Sequence, residues 1–329
     1  MKKLIYPLSV ILALCVSSCN NDEPELPGDK PGSSIDEPKI SIDKIPDPIF
    51  RAYLLENFDA DKDGEISTAE ALEVTKINVF NSGIKSLDGI QYFINLTKLD
   101  CGYNQLSSLD VSKNTALEIL SCHHNQLNSL DVSKNTALTQ LYCYNNQLSS
   151  LDVTKNTALT ELVCNHNQLS SLDVSKNTAL TDLSCYQNQL SSLDVSKNTD
   201  LTLLSCNNNQ LNSLDVSKNI ALRELRCSDN RLTSLDVSKN TALTLLYCYD
   251  NQLSSLDVSK NTALTSLMCG NNQLSSLDVS TTNLNVGELY CNMSSLKTLY
   301  LKTGWKISGI NYNRNEAYIN PNTKILYKN

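Results

Sequence analysis

Oxygen donors crowd one short stretch of this chain. Asp59, Asp61, Asp63, Glu65, Ser67 and Glu70 fall within a twelve-residue span. Acids at alternate positions carry three carboxylates round one tight curve, and a hard cation that needs six to eight oxygens, calcium above all, suits such a set. Gly64 permits the sharp bend. Glu65 offers its backbone carbonyl, Ser67 acts directly or through a water, and Glu70 closes the set with two oxygens. Sulfur forms a second pattern. Cys101, Cys122, Cys143, Cys164, Cys185, Cys206, Cys227, Cys248 and Cys269 recur every twenty-one residues, and Cys291 follows one residue late. A metal or redox ladder is one reading of this row. Zinc requires four converging ligands, and a parallel row sharing one direction does not converge. Disulfides between neighbours would pull the sulfurs out of packing rotamers. Packing as small, easily buried side chains is the better reading.

Nucleophilic and acid–base chemistry finds little support. Cys122 precedes His123, but alternation along a strand sends them to opposite faces. His123, His124 and His166 are the only histidines. His124 and His166 lie two coils apart, about 10 Å, which is too far to share a metal, so they read as solvated surface residues. Glu161 and Asp182 could pose as a glycosidase pair, yet acids scattered on an open face have no pocket to tune them. No catalytic residue is expected, and the chain is not read as an enzyme.

The elements that must position these groups follow from spacing. Ile49, Phe50, Tyr53, Leu54 and Phe58 have helical periodicity before the oxygen-rich loop. Ser67 and Glu70 form a capping box for an exit helix that runs on to Val74. The whole twelve-residue pattern resembles the EF-hand, dockerin-like calcium loop, and only one such loop occurs in the sequence. The resemblance implies calcium held by Asp59, Asp61, Asp63, Glu65, Ser67 and Glu70. A structural clamp on a cap is the reading preferred here; a calcium switch and a vestigial loop are the alternatives.

A fixed period of this size means a stacked solenoid. The phrase Leu117-x-x-Leu120-x-Cys122-x-x-Asn125-x-Leu127-x-x-Leu130-x-Val132 recurs almost verbatim and resembles the leucine-rich repeat family. Heads at Val74, Leu96, Leu117, Leu138, Leu159, Leu180, Leu201, Leu222, Leu243, Leu264 and Val286 make about eleven repeats over 74–301. The fold class expected is a leucine-rich repeat solenoid. It has a parallel β-sheet on the concave face, an irregular, turn-rich convex side and a small helical N-terminal cap. Leu120 and Cys122 point inward; Ile119, Ser121 and His123 point outward. Coils about 4.8 Å apart would carry the ten cysteines over about 45 Å. Asn104, Asn125, Asn146, Asn167 and Asn188 lie inward at the bend, where their amides can satisfy backbone groups that the turn leaves unpaired.

The outer columns differ from this uniform interior. Flanking the cysteines, Tyr142, Tyr144, Tyr186, Arg226, Tyr247, Tyr249, Met268 and Tyr290 diversify while the turn phrase barely changes. Tyrosine brings contact area and a hydrogen bond at low entropic cost, so these eight are the candidate binding residues of the concave face. Ile119, Val163, Leu203, Leu245 and Met268 read as exposed apolar positions that favour recognition. The competing explanation is neutral drift after repeat duplication.

The ends supply the cellular context. Lys2, Lys3 and the apolar run Leu4–Val16 form a secretory signal over 1–18, too short to span a bilayer as a helix. Val16-Ser17-Ser18-Cys19 resembles the bacterial lipoprotein box, which implies lipidation of Cys19. Residues 19–46, rich in Pro and acids, read as a disordered tether. Asp22-Glu23 resembles the surface-export signal of Bacteroidota-type lipoproteins. Residues 47–73 form the cap and 302–329 a C-terminal cap of one or two strands, with Trp305 as a core anchor. The formal charge of −8 over 329 residues excludes nucleic acid as a partner. The layout is similar to bacterial internalin-like surface proteins, which implies protein binding. It departs from them in the lipid anchor and in the absence of an Ig-like module or sorting motif. The expected role is a lipid-anchored binding protein on the bacterial outer membrane or cell surface, with the periplasmic face as the alternative. Its expected ligand is a protein; glycan capture and a purely structural envelope role are the competing hypotheses.

Overall fold

The computed structural model describes residues 39–40, 42–284, 288–305 and 318–329. The signal, Cys19, Asp22-Glu23 and most of the tether therefore lie outside the described residues, as does Val286.

Each coil enters through a short strand. Twelve of these, from Lys76–Asn78 to Tyr318–Ile319, stack in chain order as one parallel sheet. Register is uniform: Leu141 pairs with Leu162 and Leu162 with Leu183, so the sequence period becomes the strand step. Alternation holds on the inner side. Leu120, Cys122, Leu127 and Val132 and their counterparts are fully buried in a core that runs from Ile40 to Ile319. No coil could bury its own leucines alone, and each contributes about 1.5–3 kcal/mol once its neighbour covers it.

Two asparagine columns line this core. In the column at the strand end, Asn167 Nδ2 donates to the carbonyls of Cys143, Cys164 and Asn165, and its Oδ1 accepts from Leu148 N at 3.0 Å. The amides read as satisfying the bend do so in every coil from Asn104 to Asn272. The second column runs from Asn114 to Asn261 within the turn phrase, and the repeat phrase alone did not single it out. Asn177 Nδ2 donates to the Val153 and Asn156 carbonyls, while its Oδ1 is buried without a partner among the described residues.

At the amino end, helix α1 (Pro48–Phe58) leads into the oxygen-rich loop, and helix α2 (Thr68–Glu73) leaves it. Asp47 caps α1 through Ile49 N and Phe50 N; its other oxygen accepts from Lys85 N and Ser86 N in the first coil. Burial pushes this carboxyl up, but the four backbone donors outweigh it and hold the group below its ordinary value. Phe50, Leu54 and Ile66 thereby close the end of the repeat core. The tether reading fails for its last residues. Lys39–Ile40 pairs antiparallel with Ile66–Ser67, and Ile42 and Ile45 are buried, because these isoleucines find apolar surface on the cap.

The carboxyl end continues the repeat on its return side. Leu296, Leu299 and Leu301 follow Cys291 at the spacing with which Leu127, Leu130 and Val132 follow Cys122. There Thr298–Lys302 joins Ser276–Asp278 and Lys324–Lys328 in a second, three-stranded parallel sheet. Tyr318–Ile319 then supplies the twelfth strand of the main sheet, so 302–329 prolongs the coil as well as covering it. Trp305 packs partly buried against the core, as expected.

Candidate functional site

The outward residues of the strands line one side of the solenoid. Between its fourth and eighth coils lies a depression of about 490 Å³. Tyr142 and Tyr144 line it on the fourth coil, Tyr186 on the sixth and Arg226 on the eighth, with the smaller Asn165, Ser184 and Ser205 among them. A second, smaller hollow shares Tyr186 and Arg226 and adds Tyr247 and Tyr249. Six of the eight candidate contact residues thus meet around two adjoining depressions. Met268 and Tyr290 sit further along the sheet, half-buried and paired in register. The Tyr290 ring lies over Gly270, where a Cβ would collide with it.

Polar contacts hold these side chains in place. The Tyr142 hydroxyl donates to Glu161 Oε2 at 2.7 Å. Burial, that bond and the Glu161 and Asp182 charges raise the Tyr142 phenol well above its ordinary value. Arg226 bonds Glu224 at 3.1 Å and lies 5.8 Å from the centre of the Tyr247 ring. Glu161 and Asp182, read as scattered acids, share the larger depression. The apolar positions Ile119, Val163, Leu203, Leu245 and Met268 are half-buried rather than exposed, each on a strand flanked in register by its neighbours.

The histidines also differ from expectation. His123 is nearly buried and stacks on Tyr144 with ring centres 4.4 Å apart; His124 stacks on Tyr103 at 3.8 Å. Their Nδ1 atoms lie 3.0 Å apart, so one donates and the other accepts. Burial and neighbouring imidazoles lower both pKa values. Phe80 extends the cluster to the cap side. Gly102 makes room for the His123 ring, the one local hint of the cluster in the sequence. Beside it, Tyr103, His124, His166 and Gln187 adopt φ near +50°, in a column that Asn or Asp fills in other coils.

The cysteines face the opposite way. All ten of the repeat cysteines are free and buried. Burial pushes the Cys185, Cys248 and Cys291 thiols up to about 12, which removes nucleophilic thiolate at neutral pH. Cys122 and His123 point apart, as alternation requires.

In the oxygen-rich loop, Asp59, Asp61 and Asp63 bring one carboxylate oxygen each within 4.8 Å of one another. Lys62 and Gly64 take left-handed φ values of 60° and 86°, which wrap the chain round that point. Asp59 accepts from Asp63 N and Gly64 N, and Asp63 from Glu65 N. Glu70 sits at the loop's close: Oε1 accepts from Ala60 N, and Oε2 from Ser67 N and Oγ. With Glu70 N returning to Ser67 Oγ, this is the expected capping box. Glu65 turns its side chain away from the loop, and its Oε2 accepts from Ile42 N.

No family model matches the chain. Internalin J of Listeria monocytogenes is 40% identical over 73 residues, which is 22% of this chain and 8% of that protein. The solved functional domain of InlJ from Listeria monocytogenes, which includes a cysteine ladder, superposes with a TM-score of 0.74 at 37% identity, covering 88% of this chain and 64% of that one. A leucine-rich repeat protein of Leptospira interrogans gives 0.57 at 23% identity over 72% of this chain and 62% of its own, a likeness of fold. The chain thus spans less than two thirds of each of these relatives.

Proposed function

We propose that this internalin-like leucine-rich repeat protein is a lipid-anchored binding protein of the bacterial cell envelope that grips a protein partner with its concave face. The observation that carries the reading is the grouping of Tyr142, Tyr144 and Tyr186 round one depression on an otherwise uniform scaffold. Rigid aromatic rings beside smaller residues make an anchor site of the kind that dominates protein interfaces. Capture from surface extracts by the full chain, compared with a variant carrying Tyr142→Ala, Tyr144→Ala, Tyr247→Ala and Tyr249→Ala, tests it. Loss of a protein ligand supports the proposal. Loss of glycan retention favours glycan capture instead, and an unchanged profile favours a structural envelope role. Anchoring through Cys19 is checked separately, since Cys19→Ser should move the protein out of the membrane fraction.

The cap loop fits calcium. Asp59, Asp61 and Asp63 would hold the ion with the Glu65 carbonyl, Ser67 and Glu70, and the ion would neutralise three adjoining carboxylates. Because α1 and α2 close the first coil, calcium in this reading clamps the cap. Melting of the full chain with calcium and with chelator should differ by several degrees; an unchanged midpoint removes the clamp.

A further inference from the structure

We propose that the larger concave depression seats an arginine side chain of the protein partner, between the carboxylates of Glu161 and Asp182 and the tyrosine rings. This rests on the concave-face reading above and names what the partner presents. Glu161 and Asp182 are register partners on adjacent strands, about 4.8 Å between backbones, and both line the depression. One oxygen of each is already positioned. Tyr142 donates to Glu161 Oε2, and Thr181 Oγ1 donates to Asp182 Oδ2 at 2.7 Å. Among the described residues, no hydrogen bond reaches the other oxygen of either carboxylate and no Lys or Arg pairs with either. Arg226, the one cation in the lining, is turned to Glu224. The depression therefore carries two uncompensated negative charges beside aromatic faces.

That combination selects a guanidinium. Its planar fork can bond two carboxylates at once, its faces stack on tyrosine, and it sheds water more readily than an ammonium. The surroundings carry the same sign. On nearby coils Asp229 and Asp250 crowd each other, and burial together with the Asp250 charge pushes the Asp229 carboxyl up. A basic partner surface would be steered toward such a face.

The test uses the full chain in detergent and three capped pentapeptides, each with one central residue among alanines: arginine, lysine or citrulline. Saturation-transfer NMR ranks their affinities. The arginine peptide should bind about tenfold more tightly than the citrulline peptide and measurably more tightly than the lysine peptide. Glu161→Gln with Asp182→Asn should weaken arginine binding about tenfold without moving the melting curve, and added salt should weaken the parent protein more than the variant. Equal binding of citrulline, equal binding of lysine, an unchanged double variant, or no binding of any peptide overturns the arginine seat. The wider reading is scored apart from it, by protein capture with Tyr247→Ala and Tyr249→Ala, which lie outside this depression.

Discussion

The two asparagine columns look alike in sequence and differ in physics. Both repeat once per coil, both are buried, and both donate to main-chain carbonyls. At the strand end, Asn167 Oδ1 is the acceptor for Leu148 N, and among the described residues the Cys143 carbonyl receives only the amides of Asn146 and Asn167. In the turn, the Val153 and Asn156 carbonyls already accept from Asn156 N and Leu159 N, so Asn177 adds a second donor and leaves its own carbonyl oxygen unpartnered. The first column completes the backbone's hydrogen bonding. The second reinforces bonds that exist without it.

The largest expected effect separates the two directly. Asn167→Ala orphans a buried N–H and should cost about 3 kcal/mol, whereas Asn177→Ala should cost about 1–2 kcal/mol. Urea unfolding of the two variants reads the gap, and equal losses would erase the distinction. A second measurement localises the damage. Intact protein should resist iodoacetamide at Cys101 to Cys291, because burial suppresses the thiolate. Asn167→Ala should open Cys143 and Cys164 first, as read by peptide mass spectrometry. Uniform labelling of the native chain would instead put the sulfurs outside. A finer test keeps the shape: Asn177→Leu should cost under about 1 kcal/mol, since it also removes the orphaned oxygen, while Asn167→Leu should be no milder than Asn167→Ala. The smallest effect lies next to the first column. Gln187 holds φ at +51°, so Gln187→Gly should stabilise the fold by about 0.5 kcal/mol in thermal melts, against Ser184→Gly as a control at a strand position that gains nothing.

Legibility followed the same divide. The strand-end asparagines, the buried cysteines and the capping box were readable because each is set by alternation or by neighbours a few residues away. The turn column was not, since nothing within one repeat says that Asn135 faces the coil before it. The histidine–tyrosine stacks were missed for a like reason: their partners are twenty-one residues apart and meet only because adjacent coils stack in register. Ile40, Ile42 and Ile45 stood among prolines and acids, and their composition hid the surface that buries them. The shared depression of Glu161 and Asp182 depended on small residues of their own coils and the next, Asn165, Ser184 and Ser205.

Residue order alone determined the period, the parallel stack, the inward thiols and the oxygen-rich loop, because period-two alternation and a constant repeat leave one way to hide so many leucines. The stacked coils decided the rest: which amide is a sole partner, which acids lie together with no Lys or Arg bonded to them, and where tyrosines border a hollow. Those outcomes depend on distances between coils, which no single repeat contains.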